Sequence, residues 1–135
     1  MYLLDTNVIS ELRRPKPHGA VLAWMDATKS AKLCISAVTV GEIQIGIERT
    51  REQDPGKAAT IENWLGAVVA SYDVLAMNAA CFRQWAKLMH KQSNTRFADA
   101  MIAATALSHG LTVVTRNVGD FEYFGCPLLN PFEAI

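Results

Sequence analysis

The 135-residue sequence carries no surplus of either charge: thirteen Lys and Arg stand against thirteen Asp and Glu. A protein that grips nucleic acid with a broad basic face shows an excess of Lys and Arg. That class is excluded for the chain as a whole, while a local patch offset by carboxylates stays open. Cysteine is scarce. Cys34, Cys81 and Cys126 lie far apart, odd in number and without metal-ligand spacing, which argues against a disulfide framework and for a reducing compartment. Histidine is equally sparse, with His18, His90 and His109 scattered along the chain. No His/Cys metal cage is therefore expected, and no Ser–His or Cys–His pair stands out for triad chemistry. The longest apolar runs are far short of a membrane span. The first residues lack the cationic-then-apolar order of an export signal. A cytoplasmic protein with no membrane association is expected. Internal repeats and low-complexity tracts are also missing.

What is present is apolar residue in quantity and in short, ordered runs. Half of the residues are hydrophobic and 19% are charged, enough for a packed core. The length fits a single domain over residues 1–135. Tyr2–Leu4, Ala31–Ser36, Tyr72–Leu75 and Leu111–Thr115 are short apolar runs that predict strands, with a further short one at Cys126–Leu129. Between them lie helical patterns: from Thr6 to about Arg13 with Thr6 as N-cap, His18–Thr28, Ala37–Arg51 capped by Ser36, Lys57–Ala70 after the Asp54-Pro55-Gly56 cap, Ala79 to about Gln92 capped by Asn78, and Phe97–His109 closed by Gly110. Strands alternating with helices predict an α/β three-layer α/β/α sandwich around a mostly parallel sheet of four to five strands.

The chemistry lies in the acids. Asp5 ends the first strand, where open α/β sheets bind ligands. Glu42 lies about two turns into the helix after strand two, among Val40, Gly41, Ile43, Ile45 and Ile47, so it is not expected on a freely solvated face. Asp99 is in the first turn of a helix that is otherwise apolar nearly all round. Asp120, with Asn117, lies in the turn after Leu111–Thr115. In a parallel sheet these segments meet at one rim. Converging carboxylates raise each other's pKa unless a cation joins them, and hard oxygen ligands suit Mg²⁺ or Mn²⁺. A carboxylate-held metal acts on phosphate esters by activating water and neutralising developing charge. Arg13, Arg14 and Lys16 form a basic cluster where Pro15 and Pro17 stop the first helix. They read either as a solvated loop or, with Arg96 and Arg116, as candidates for contact to a phosphate backbone.

Four segments carry a resemblance: Leu4-Asp-Thr-Asn-Val-Ile-Ser-Glu11, Ser36-Ala-Val-Thr-Val-Gly-Glu42, Ala98-Asp-Ala-Met-Ile-Ala-Ala-Thr105 and Val114-Thr-Arg-Asn-Val-Gly-Asp-Phe121, with a terminal Asn130-Pro-Phe132. In this order and spacing they resemble the PIN-domain family, and within it the VapC-type toxins of type II toxin–antitoxin pairs. The resemblance implies a Mg²⁺- or Mn²⁺-dependent endoribonuclease with Asp5, Glu42 and Asp99 as the main metal-binding acids. Thr6 or Asn7 would hold the strand-end turn, and Thr115 would line the site. The family often has a fourth acid directly after Thr-Arg. Here that place is Asn117, and Asp120 is the nearest acid able to replace it. The resemblance further implies a homodimer, a cognate VapB-type antitoxin that covers the active site, and operator DNA bound only through the antitoxin. Two other classes are weighed beside it. A phosphatase with Asp5 as nucleophile, in the manner of haloacid-dehalogenase-like enzymes, wants a second Asp two residues on, where Asn7 stands; a receiver domain wants a late Lys, and none follows Lys91. A non-catalytic PIN-fold binding module is opposed by the retention of Asp5, Glu42 and Asp99.

Overall fold

The period of two along a strand decides how this molecule is layered. Strand β1 (Tyr2–Leu4) pairs with β2 (Leu33–Ser36) on one side and β4 (Thr112–Val114) on the other. Strands β3 (Asp73–Leu75) and β5 (Leu128–Leu129) complete a five-stranded parallel sheet in the order β3-β2-β1-β4-β5. In register, Leu4 lies beside Ile35 and Val114, and Leu3 beside Cys34 and Val113. Successive side chains point to opposite faces, so these two rows begin two separate cores. This computed structural model describes residues 1–133.

The Leu4 row is covered by α1 (Thr6–Leu12), α2 (Gly19–Ala27), α3 (Ala37–Gln53) and α4 (Pro55–Ser71), through Val8, Ile9, Val21, Ile43, Ile47, Ile61 and Leu65. The Leu3 row is covered by α5 (Ala79–Met89), α6 (Phe97–His109) and α7 (Val118–Phe121), through Ala100, Ile102, Ala103, Ala106 and Phe121. Each fully buried aliphatic or aromatic side chain contributes about 1.5–3 kcal/mol. The result is the expected α/β/α sandwich. Small residues on α6 let that helix lie close against the sheet, and Ile102–Ala106 is entirely buried.

Most predicted caps hold. Ser36 Oγ accepts from Val38 N, Asp54 Oδ1 from Lys57 N and Asn78 Oδ1 from Cys81 N. Gly110 closes α6 at φ 65°, a left-handed conformation that costs glycine little. Several boundaries differ from expectation. The N-cap of α1 is Asp5, not Thr6: the chain stays extended through Asp5, whose carboxylate accepts from Thr6 N, and the Thr6 side chain is left for another task. Helix α5 stops at Met89 rather than Gln92, because the chain reverses through Lys91 at φ 65°. Strand β3 starts at Asp73 and is an edge strand with Asp73 and Val74 exposed, not a buried run. An exposed charge on an edge discourages pairing with another chain. Gly41 and Ile45, expected to shield Glu42, are exposed on α3.

The topology also locates the edge where a site is expected. From β1 the chain moves outward through β2 to β3, then crosses back to β4 on the far side of β1. The carboxyl ends of β1 and β4 therefore flank the point where strand order reverses, the crevice where open α/β sheets bind ligands. Among the described residues no helix is long and apolar enough to cross a membrane.

Candidate active site

Asp5 is the centre of the rim. Its backbone N–H still donates to Val114 (2.9 Å), as the last rung of the ladder with β4. Its side chain is 5% exposed. Oδ1 accepts from Thr6 N (2.8 Å); Oδ2 accepts from Thr115 Oγ1 (2.8 Å) and Asn7 Nδ2 (3.1 Å). The Thr115 hydroxyl gives its proton to Asp5 and accepts from Asn117 N (3.0 Å) and Asn7 Nδ2 (3.3 Å), while Asn7 Oδ1 accepts from Arg116 N (3.3 Å). Two strand ends 110 residues apart are thus stitched around one carboxylate. Burial pushes the Asp5 carboxyl above the usual range. The donors from Thr115 and Thr6 pull against this, and the charges of Glu42 and Asp120 add to it.

Glu42 comes from the α3 face that also carries Thr39. Its Oε1 accepts from Thr6 Oγ1 (2.8 Å), and the fully buried Thr39 Oγ1 lies 3.0 Å from that Thr6 hydroxyl. Thr39 is the member of this site that the sequence pattern did not single out, although it stands one turn before Glu42. Asp99, half-buried in the first turn of α6, is pushed up to about 6 by burial and then by the charges of Asp5, Asp120 and Glu42, against the pull of Arg96. Asp120 is exposed at the start of α7 and acts on both Asp5 and Asp99. Asn117 is tied through its backbone N–H, and its side chain is exposed. Asp5, Glu42, Asp99 and Asp120 therefore lie within electrostatic reach of one another. Among the described residues they are not drawn into a closed cage: no three Asp, Glu, His or Cys side chains are grouped tightly enough for one. An oxygen-only donor set this open fits a cation that keeps several of its waters, as Mg²⁺ does, and does not fit Zn²⁺, which wants close His or Cys ligands.

The basic candidates do not form one patch. Arg13 lines a cleft of about 250 Å³ together with Thr6, Ser10, Glu42, Gly46 and Trp64. Arg14 pairs with Glu11 at 3.3 Å, and Lys16 is exposed in the following loop. Arg96 donates to the Asp120 carbonyl (2.8 Å), which ties the start of α6 to α7. Arg116 lies over the ring of Phe132, with Cζ 4.6 Å from its centroid. A larger concavity of about 850 Å³ opens between α2 and the C-terminal turn, lined by Ala20, Ala23, Trp24 and Pro131 among others. It contains none of the four acids, so size does not mark the chemistry here.

Comparison with known proteins agrees with this geometry. The PIN domain family matches residues 2–123. The chain is 40% identical to a VapC ribonuclease, Y4jK, of Sinorhizobium fredii, over 98% of this chain and 99% of that protein. It is 34% identical to the toxin FitB of Neisseria gonorrhoeae, again over 98% and 99% of the two chains. Among solved structures, FitAB bound to an IR36 DNA fragment contains a chain that superposes with a TM-score of 0.87 at 30% identity, covering 100% of this chain and 98% of that one. With the rim of acids at the β1–β4 switch point and a family match over nearly its whole length, this chain belongs to the PIN domain family.

Proposed function

We propose that the protein is a Mg²⁺- or Mn²⁺-dependent endoribonuclease, the toxin of a type II toxin–antitoxin pair, acting in the cytoplasm. The observation that carries this is a cluster of acids that no base pairs with among the described residues. Asp5, Glu42, Asp99 and Asp120 act on one another, yet none of them takes part in a salt bridge among the described residues. Such a cluster is unfavourable at neutral pH until an external cation joins it. When bound, the metal supplies a more acidic water and offsets charge developing on the phosphate.

The chain's own groups divide the remaining work. Asp5, fixed by its three donors, and Asp99, delivered by α6, are the principal ligands. Glu42, oriented by the Thr6 hydroxyl, holds the metal or orients the attacking water. Asp120 is the fourth acid in preference to Asn117, because its charge reaches both Asp5 and Asp99. Attack at phosphorus leaves a 5′-phosphate and a 3′-hydroxyl. The burial and double-sided hydrogen bonding of Asp5 suit a held acceptor and disfavour the alternative of Asp5 as a covalent nucleophile.

The relatives named as a VapC ribonuclease and the toxin FitB support the nuclease and toxin assignments, and the DNA-bound FitAB structure supports a partner through which operator DNA is held. We assign this chain a cognate VapB-type antitoxin, a homodimeric state and DNA contact only through the antitoxin. The test is RNA cleavage by the purified chain in Mn²⁺ and after chelation. Cleavage is expected to disappear on chelation and in Asp5→Asn, which should still melt cooperatively. Cleavage by Asp5→Asn at the unaltered rate would refute the assignment. Growth arrest on expression, relieved by co-expressing the antitoxin, tests the pairing.

A further inference from the structure

The terminal Asn130-Pro131-Phe132 motif has no part in the acid cluster, yet its position is tightly specified. Asn130 Oδ1 accepts from Phe132 N (2.9 Å), Pro131 is buried, and Phe132 packs on the core under α1–α4. The Phe132 and His18 rings meet edge-to-face with centroids 5.4 Å apart, and Arg116 lies over the Phe132 ring with Cζ 4.6 Å from its centroid. His18 is itself locked, with Nδ1 accepting from Ala20 N and its backbone N–H donating to Glu11 Oε2 (3.0 Å). Glu11 is buried and already engaged by His18 and Arg14, so Arg116 feels its charge without pairing to it. Arg116 makes no salt bridge among the described residues and is exposed.

At its other end Arg116 is coupled to the catalytic carboxylate. It follows Thr115, whose hydroxyl donates to Asp5, and its N–H donates to Asn7, whose amide also donates to Asp5. The backbone is therefore fixed by the site and the guanidinium by the Phe132 ring. A guanidinium over an aromatic face is held by the ring's electrostatics while its N–H donors stay free to meet a phosphate. Among the described residues Arg13, Arg14, Lys16 and Arg96 lack this arrangement: two are unheld, one is paired and one is hydrogen-bonded to a backbone carbonyl.

We propose that Arg116 is the preorganised contact to an RNA phosphodiester beside the acid rim, and that Phe132 of the terminal Asn-Pro-Phe turn is its positioning residue. This rests on the ribonuclease assignment above. The experiment uses a short labelled single-stranded RNA and the full chain, with affinity read by anisotropy in the non-cleaving Asp5→Asn background and cleavage read in the otherwise unaltered chain. Arg116→Ala is expected to weaken binding about ten-fold or more, the range for a charged hydrogen bond, and to flatten the dependence of log affinity on log salt by about 0.7, one phosphate's share on a single strand. Phe132→Leu keeps the packing volume but removes the π face. It is expected to weaken binding about two- to five-fold, raising KM with kcat little changed, while Phe132→Tyr restores the affinity. Adding Phe132→Leu to Arg116→Ala should cost nothing more. Equal effects of Phe132→Leu with and without Arg116 would overturn the positioning role. An unchanged affinity and salt slope in Arg116→Ala would overturn the contact, even if the chain cleaves RNA normally. Arg116-dependent binding by a chain that never cleaves would uphold the contact and refute the nuclease assignment.

Discussion

Thr115 offers the sharpest test of how the rim is held. Its hydroxyl is fully buried, donates to Asp5 Oδ2 at 2.8 Å, and accepts from Asn117 N and Asn7 Nδ2. Thr115→Val keeps the shape and removes all three interactions. A hydrogen bond to a buried charged group contributes about 1.5–3 kcal/mol, and with a slope of about 1–3 kcal/mol per molar urea the unfolding midpoint should fall by roughly 1 M. The loss has a pH signature. The Asp5 carboxyl is already raised by burial, and Thr115 is the strongest group pulling it back. Without that donor the carboxyl rises further. The stability difference between the two proteins is therefore fully present above the Asp5 pKa of the variant and shrinks as pH falls and the carboxyl becomes neutral. The acid limb of the cleavage profile should move upward in pH for the same reason. Thr115→Ser keeps the hydroxyl and should leave that limb in place. Urea melts from pH 5 to 8 and initial cleavage rates over the same range check both effects. Superimposable profiles for Thr115→Val would refute the view that this hydroxyl favours the charged form of Asp5.

Three further outcomes follow from particular groups. Because Asp99 is raised to about 6 from 3.8, the folded chain keeps a proton that the unfolded chain releases; the metal-free protein should gain stability as pH falls through about 6, and Mn²⁺ should raise its melting temperature more at pH 7.5 than at pH 5.5, by an amount set by RT ln(1 + [L]/Kd). Thr6→Val removes the donor to Glu42 while the N-cap bond from Thr6 N to Asp5 stays; cleavage is expected to drop at least several-fold with a change in stability near 1 kcal/mol, read by comparing rates with thermal melts. Gly110→Ala forces a side chain into φ 65° at the end of α6 and should cost about 1–2 kcal/mol of stability, seen as a lower melting temperature with unchanged RNA affinity.

The sequence by itself determined what depends on near neighbours along the chain. The apolar runs, the caps Ser36, Asp54 and Asn78 and the glycine stop at Gly110 depend on spacings of a few residues, and these appear in the structure as read. So did the placing of Asp5 at a strand end, since that needs only Tyr2–Leu4 and the polar residues after it. Tertiary structure decided what depends on partners far away in sequence. Read locally, Thr6 is a helix cap; in the fold its hydroxyl goes to Glu42, thirty-six residues on, and Thr39 joins the site only because α3 packs beside α1. Arg96, a candidate for RNA when read as a surface cation, is bound to a carbonyl twenty-four residues later. Strand β3 reads like its neighbours, but the sheet order puts it at an edge where its residues meet water. Burial and charge coupling are properties of a three-dimensional neighbourhood, so the raised carboxyls of Asp5 and Asp99, and the Phe132 ring under Arg116, exist only once β1 and β4 lie side by side.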